Sequence, residues 1–285
     1  MTLYIVGTPI GNLSDVSQRA LDTLRSVSII AAEDTRVTSK LLARYNIHTK
    51  LTSCHGHNER GKARWLVSRM METGGDVALV SDAGMPAVSD PGGAVAAAAR
   101  EAGIRVECVP GPSAVTTVLA LTGWDFTEFA FYGFLPREKG DLRSKLSEMS
   151  KGARVAVVFE SPRRVESLLA VITEVCQDAR VFIANDLTKT HEWTYEGTAA
   201  DTLAALSARE NAQKGEYCLA IQFPAAAVEP EAAEPIRAET WILDALQRGV
   251  AMPEAVEFAR SRGVSRNEAY RASVAIRQYL SKNNY

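Results

Sequence analysis

Leu79-Val80-Ser81-Asp82-Ala83-Gly84-Met85-Pro86-Ala87-Val88-Ser89-Asp90-Pro91-Gly92-Gly93 is the stretch on which the fold turns. A short apolar run ends in an acid, Gly and Pro follow at close intervals, and an alanine-rich segment comes next. That order spells a strand, a broad loop and a helix start. Glycine lets main chain approach a ligand, and proline fixes the loop's shape before anything binds. Asp90 is expected to cap the helix, with Pro91 at its first position. A second rigid corner follows where Val106-Glu107-Cys108-Val109 runs into Pro110-Gly111-Pro112-Ser113-Ala114. Neither corner holds the Lys or Arg that a polyphosphate calls for. The ligand expected is one read by main-chain amides and carrying a carboxylate.

Upstream of this stretch, Leu3 to Val6 predicts a buried strand opening into Gly7-Thr8-Pro9-Ile10-Gly11-Asn12. Val16, Ala20 and Leu24 mark one face of a helix, and Val27 to Ala32 predicts a second strand. Ala63, Leu66, Val67, Met70 and Met71 fall at helical spacing. Strand and helix alternate up to Val109, which argues for a mostly parallel α/β sheet with helices on its faces. A second α/β half starts near Ser113, with strands expected at 129–134, 155–159, 181–184 and 217–223. Its clearest helix carries Val165, Leu168, Leu169 and Ile172 in register. The segment from Pro224 to Pro235 is rich in Pro, Glu and Ala and predicts an extended, exposed linker. Three short helices follow, the last opened by a capping box between Ser265 and Glu268. The resulting division is 1–112, 113–223, a linker at 224–236, and a helix-turn-helix-like unit at 237–285.

Bulk properties narrow the function classes. At 285 residues, 46% hydrophobic and 23% charged, the chain suits a soluble protein of roughly two domains. A net charge of −2 makes it no nucleic-acid magnet as a whole. Charge is unevenly placed, however: Arg260 to Tyr285 holds six basic residues and one acid. Cys54, Cys108, Cys176 and Cys218 form no CxxC pair, so neither disulfides nor zinc are expected and a reducing cytoplasm is the default. The first residues lack the pattern of a signal peptide, and no apolar run approaches the roughly 20 residues of a membrane span.

Two motifs invite readings that their details oppose. Gly7-x-x-x-Gly11 after a strand, with Glu33 downstream, suggests dinucleotide binding, but Pro9 occupies the crowded turn and the Gly-x-Gly-x-x-Gly fingerprint is absent. His55 and His57 flank Gly56 with no third ligand in view, so no metal is expected.

Five motifs in order carry a family resemblance: Glu33-Asp34-Thr35-Arg36, the Asp82 to Gly92 stretch, Pro110 to Ala114, Gly133-Phe134-Leu135-Pro136-Arg137, and Phe159-Glu160-Ser161-Pro162-x-Arg164. With them the chain resembles the tetrapyrrole-methylase superfamily. Within it the chain is similar to the bacterial enzymes that methylate a cytidine ribose 2′-oxygen in the decoding region of small-subunit (16S) ribosomal RNA. The resemblance implies two α/β domains with S-adenosylmethionine bound in the cleft between them, a helical RNA-binding appendage, and a homodimer. It implies donor contacts from Pro9, from Val80, Ser81, Asp82, Ala83 and Gly84, and from Ser113, Ala114 and Phe159. One departure is Asn185-Asp186 ahead of Leu187-Thr188-Lys189, where the family leads one to expect Arg-Glu.

Methyl transfer to a sugar oxygen needs alignment and a proton acceptor. The acceptors expected are Lys189, if a desolvated cleft makes it neutral, and the acids Asp34 and Glu192. Arg36 can hold an RNA phosphate, although Asp34 and Arg36 can equally pair to fix a loop. Arg260, Arg262, Arg266 and Arg271 are expected phosphate contacts, with Arg137, Lys139, Arg163 and Arg164 at the cleft rim. Two rivals stand beside this reading: a porphyrinoid C-methyltransferase, and a ligand-sensing helix-turn-helix regulator of DNA.

Overall fold

The computed structural model describes residues 1–224 and 237–282, and the chain divides into two compact units at Pro224. Most of the expected linker therefore lies outside the described residues.

The first unit contains two five-stranded sheets. The first is built from β1 (Thr2–Val6), β2 (Ile29–Ala32), β3 (Leu51–Ser53), β4 (Val77–Val80) and β5 (Arg105–Val109). Its order is β3-β2-β4-β1-β5, and every pairing is parallel. All four residues of β4 are buried, as befits a central parallel strand with helices on both faces. Those helices are α1 (Gln18–Ser26), α2 (Thr35–Arg44), α3 (Glu59–Thr73) and α4 (Gly93–Glu101). Leu66 and Met70 of α3 pack with Val95 and Ala99 of α4 on one side, and Leu21 and Leu24 of α1 with Leu42 of α2 on the other.

The start of α4 corrects one expectation. Gly92, at φ 140°, is the N-cap, so Asp90 lies outside the helix. A distant side chain does the capping: Glu59 Oε1 accepts from Gly92 N and Ala94 N, both at 2.8 Å. A carboxylate here also faces the positive end of the helix dipole. A Cβ on Gly92 would sit 2.8 Å from the Leu79 side chain, so glycine is required by space as well as by φ.

After α5 (Ala114–Thr122) comes the second sheet. It comprises β6 (Ala130–Phe134), β7 (Val155–Glu160), β8 (Arg180–Asn185), β9 (Trp193–Thr198) and β10 (Tyr217–Gln222), in the order β6-β7-β10-β8-β9. Only β6 and β7 are parallel; the rest pair antiparallel. On one face lie α6 (Lys139–Gly152), α7 (Val165–Val175) and α8 (Ala199–Ser207), which enclose a core around Leu146, Leu168, Ile172 and Leu219. On the other face α5 packs Val115, Val118 and Leu119 against Val157, Phe182 and Ala220.

The second unit has three described helices, α9 (Ala238–Gln247), α10 (Met252–Ser261) and α11 (Arg266–Lys282). They close around Ile242, Ala255, Ala259, Ala272 and Ile276. The capping box is formed: Glu268 N donates to Ser265 Oγ at 3.3 Å and Ser265 N to Glu268 Oε2 at 3.2 Å.

Candidate active site

The strand ends of both sheets converge on one cavity of about 390 Å³. From the first sheet come Ile10, Glu33 and the loop residues Asp82 to Met85 and Val88 to Asp90. Ser113, Ala114 and Val115 at the start of α5, Phe134, Phe159 to Pro162, Leu187 and Gly215 to Cys218 complete it. Ligand clefts in open α/β folds form at such carboxyl ends of strands.

Close main-chain contacts bring these segments together. A Cβ on Gly7 would lie 2.7 Å from Gly111 Cα, so only glycine lets the first corner meet the Pro110 corner. Thr8 N donates to Gly84 O at 2.9 Å and Gly84 N to Thr8 O at 3.1 Å, which fastens the end of β1 to the Asp82 loop. Gly11 meets the second half in the same way, because its Cβ would lie 2.6 Å from Leu187 O. Asn12 N reinforces that junction by donating to Thr188 Oγ1 at 2.9 Å.

The walls are apolar and the polar lining is acidic. Phe159 meets Phe131 and Phe134 edge to face, with ring centroids 4.9 and 5.9 Å apart. Glu33, Asp82, Asp90, Glu160 and Glu216 all line the cavity. Burial raises the pKa of Glu33 and of Asp82 above the usual carboxylate range. Burial, with the charge of Glu33 behind it, pushes Asp90 up to about 6. Glu160 is 2% exposed; its Oε1 accepts from Ser161 N at 2.7 Å. Its Oε2 lies 3.3 Å from Arg164 Nη2, outside hydrogen-bond geometry, and so keeps an accepting lone pair. Cys218 is no nucleophile, since burial pushes its thiol up to about 12.

Several residues singled out in the sequence serve other ends. Lys189 Nζ bonds Asp186 Oδ1 at 2.7 Å and Glu216 Oε2 at 2.9 Å. Burial works against its charge, but those bonds outweigh it and raise its pKa, the opposite of the neutral amine that a base requires. Asp34 caps α2 and grips Arg36, whose hydrogen bonds hold its carboxyl down to about 2; it is a weak acceptor and does not line the cavity. Arg36 is 87% exposed beyond that grip. Glu192 is exposed, and its Oε2 accepts from Thr188 N, holding the Leu187 turn. Arg164 donates to Leu135 O and Pro136 O at 3.2 and 2.8 Å, so it braces the end of β6. Arg137, Lys139 and Arg163 are exposed.

Among the expected donor contacts, Asp82, Ala83, Gly84, Ser113, Ala114 and Phe159 line the cavity. Pro9, Val80 and Ser81 are buried behind it; Ser81 O accepts from Thr8 Oγ1 at 3.1 Å. Asn185 is also buried: its Nδ2 donates to Lys214 O and Glu216 O, and its Oδ1 accepts from Arg209 Nη1. It anchors the turn that carries Glu216. Among the described residues no group of three or more His, Cys, Asp or Glu is placed to hold a metal. No described helix is long and apolar enough to cross a membrane.

Comparison with known proteins gives this cavity its context. Residues 2–203 match the family of tetrapyrrole (corrin/porphyrin) methylases. The chain belongs to the tetrapyrrole methylase family. Methylases of this family take the methyl group from S-adenosylmethionine. Among similar members is ribosomal RNA small subunit methyltransferase I of Vibrio cholerae, 44% identical over 77% of this chain and 76% of that protein. The protein of the same name from Halalkalibacterium halodurans is 40% identical over 94% of this chain and 93% of its own. Cobalt precorrin-4 methyltransferase, a solved methylase of cobalamin biosynthesis, shares the fold at a TM-score of 0.56 and 19% identity, over 77% of this chain and 94% of that one.

The cavity fits the family's donor. Its volume lies within the usual range for small-molecule sites. The apolar walls suit an adenine, and α5 begins without a side-chain cap, which leaves main-chain N–H groups for a carboxylate. The spare oxygen of Glu160 can accept from an amino group, and an acidic lining without a lysine or arginine suits a cation.

Proposed function

We propose that the protein transfers a methyl group from S-adenosylmethionine to the ribose 2′-oxygen of a cytidine in small-subunit (16S) ribosomal RNA. One observation carries this reading: the 94% coverage of this chain by a ribosomal RNA small subunit methyltransferase leaves out too little to exclude the C-terminal helices. The bound donor supplies an activated methyl on a sulfonium. The chain supplies the rest. Phe159, Ile10 and Leu187 keep water from the reacting atoms, and the start of α5 and Glu160 orient the donor. Arg36, Arg137 and Arg163 stand exposed to take RNA phosphates at the rim.

In the second unit Arg266 and Arg271 are exposed on α11, and Tyr270, 67% exposed, lies one turn from Arg266 on the same face. Cations interleaved with an exposed ring suit single-stranded RNA. Arg260 pairs with Glu257, and Arg262 lies over the rings of Trp241 and Phe258, so their heads begin from internal contacts. A homodimer belongs to the same proposal, and sedimentation equilibrium tests it.

The deciding experiment incubates the protein with methyl-labelled donor and undermodified small ribosomal subunits, then maps the label by mass spectrometry. Label on one cytidine ribose is expected. Absence of label in the RNA, or label on a porphyrinoid offered in its place, overturns the reading.

A further inference from the structure

Among the five carboxylates of the cavity, four are engaged by a cation or a main-chain N–H. Glu33 Oε2 accepts from Asp82 N at 3.4 Å, and Asp82 Oδ1 from Asp34 N at 3.0 Å. Glu160 accepts from Ser161 N and faces Arg164, while Glu216 is held by Lys189. Asp90 differs: among the described residues no main-chain N–H and no cation bonds its carboxylate, and the nearby Ser81 hydroxyl, which donates to Ala83 O and Gly84 O, lowers its pKa only in part.

The backbone around Asp90 is shaped at a cost. Ala87 and Ser89 both adopt left-handed conformations, at φ 66° and 69°, in which side chains with a Cβ are strained. Ala87 N donates to Pro91 O at 3.2 Å, and Glu59 anchors the far end through Gly92 N. Such strain persists where the surroundings over-determine it, and it concentrates at functional sites. Here it sets a carboxylate without a counter-ion in the wall of the cavity that Phe159 and the start of α5 also line.

We propose that Asp90 is the proton acceptor of the methyl transfer, an assignment that rests on the functional reading above. The ribose O–H bond breaks and its proton passes to an Asp90 carboxylate oxygen. The oxygen's electron pair forms the new O–CH₃ bond, and the pair of the breaking S–CH₃ bond stays on sulfur. The positive charge of the sulfonium thus ends as a proton on Asp90, which solvent then removes. The groups facing Asp90 are Glu33 at the end of β2, Asp82 and Ser81 at the end of β4, and Glu216 before β10. Burial and these acids place its titration near 6, where an acceptor is ionised at neutral pH yet still basic.

Two measurements test this. A ¹³C NMR titration of the free protein, labelled at aspartate carboxyls, is expected to show one resonance with a midpoint near 6 that Asp90→Asn removes. In single-turnover assays at saturating donor, the wild-type rate is expected to rise tenfold per pH unit up to the midpoint of Asp90 in the donor complex, which the sulfonium charge moves below that of the free protein, and then level. Asp90→Asn is expected to keep its affinity for the demethylated donor within about threefold, lose roughly 10²-fold or more in rate, and lose that limb. A wild-type profile flat from pH 4 to 8 overturns the assignment even if the variant fails to fold. So does a variant that turns over normally, or one that loses donor affinity while keeping its rate at saturation. A wild-type protein that binds donor but methylates no RNA strikes the functional reading itself, and the assignment falls with it.

Discussion

Lys189→Met separates two roles for one side chain. Lys189 lies between Asp186 and Glu216, so the substitution is expected to loosen the cavity wall and weaken donor binding several-fold, with turnover at saturation kept within about tenfold. A loss beyond roughly 10²-fold with donor affinity intact would return Lys189 to the reacting groups. Asp90 makes a stability prediction of opposite sign to its activity. Its folded pKa is raised, so the folded state favours the proton, and stability falls as pH rises from the unfolded carboxylate value, 3.8, through about 6. Asp90→Asn is therefore expected to melt higher than wild type at pH 8, by about 1 kcal/mol once partial exposure is allowed for, with the gain fading between pH 6 and 4. A variant less stable than wild type at pH 8 contradicts this. These roles were only half legible in the sequence. Short-range chemistry could be read, as in the Asp34–Arg36 pair. Asp-Pro before an alanine run is a good local signal for a cap at Asp90, but Glu59, far away in sequence, supplies the cap instead.

At the scale of elements, the contact between the Gly11 loop and the Leu187 turn decides the shape of the cavity. Gly11→Ala puts a methyl 2.6 Å from Leu187 O and Thr188 Oγ1, and one of the two segments has to move. The expected result is a loss of about 1–3 kcal/mol in stability together with weaker donor binding by calorimetry. Unchanged melting and affinity would mean that the junction is soft. Glu59→Ala removes two capping bonds from α4 and is expected to cost about 1–2 kcal/mol in chemical denaturation. The parallel sheet was legible because strands buried on both faces are continuous apolar runs, as in Val77–Val80. The antiparallel half was less so. β9, Trp193–Thr198, is a half-exposed edge strand whose residues alternate without a strong apolar run, and β3 has only three half-buried residues. Neither carries a strand signal in the sequence for that reason.

At the scale of the molecule, donor and RNA affinity are expected to separate along the chain. Each of the two units has its own core. Truncation after Pro224 is expected to leave donor binding intact while RNA affinity falls and its salt dependence flattens, as phosphate contacts from Arg266 and Arg271 are lost. An unchanged salt slope would assign RNA binding to the first unit. The basic tail was visible in the sequence as a charge asymmetry. Its exposed tyrosine face was not, because only the packing of Ala272 and Ile276 inward fixes which way Tyr270 points. The central claim is that the cavity joining the two sheets holds a sulfonium donor, and calorimetric titration with S-adenosylmethionine and its demethylated product tests it most directly. Saturable binding of both at one site per chain, abolished by a bulky side chain at Ala83 or Ala114, is the predicted result; no heat with either ligand from the folded protein would contradict it.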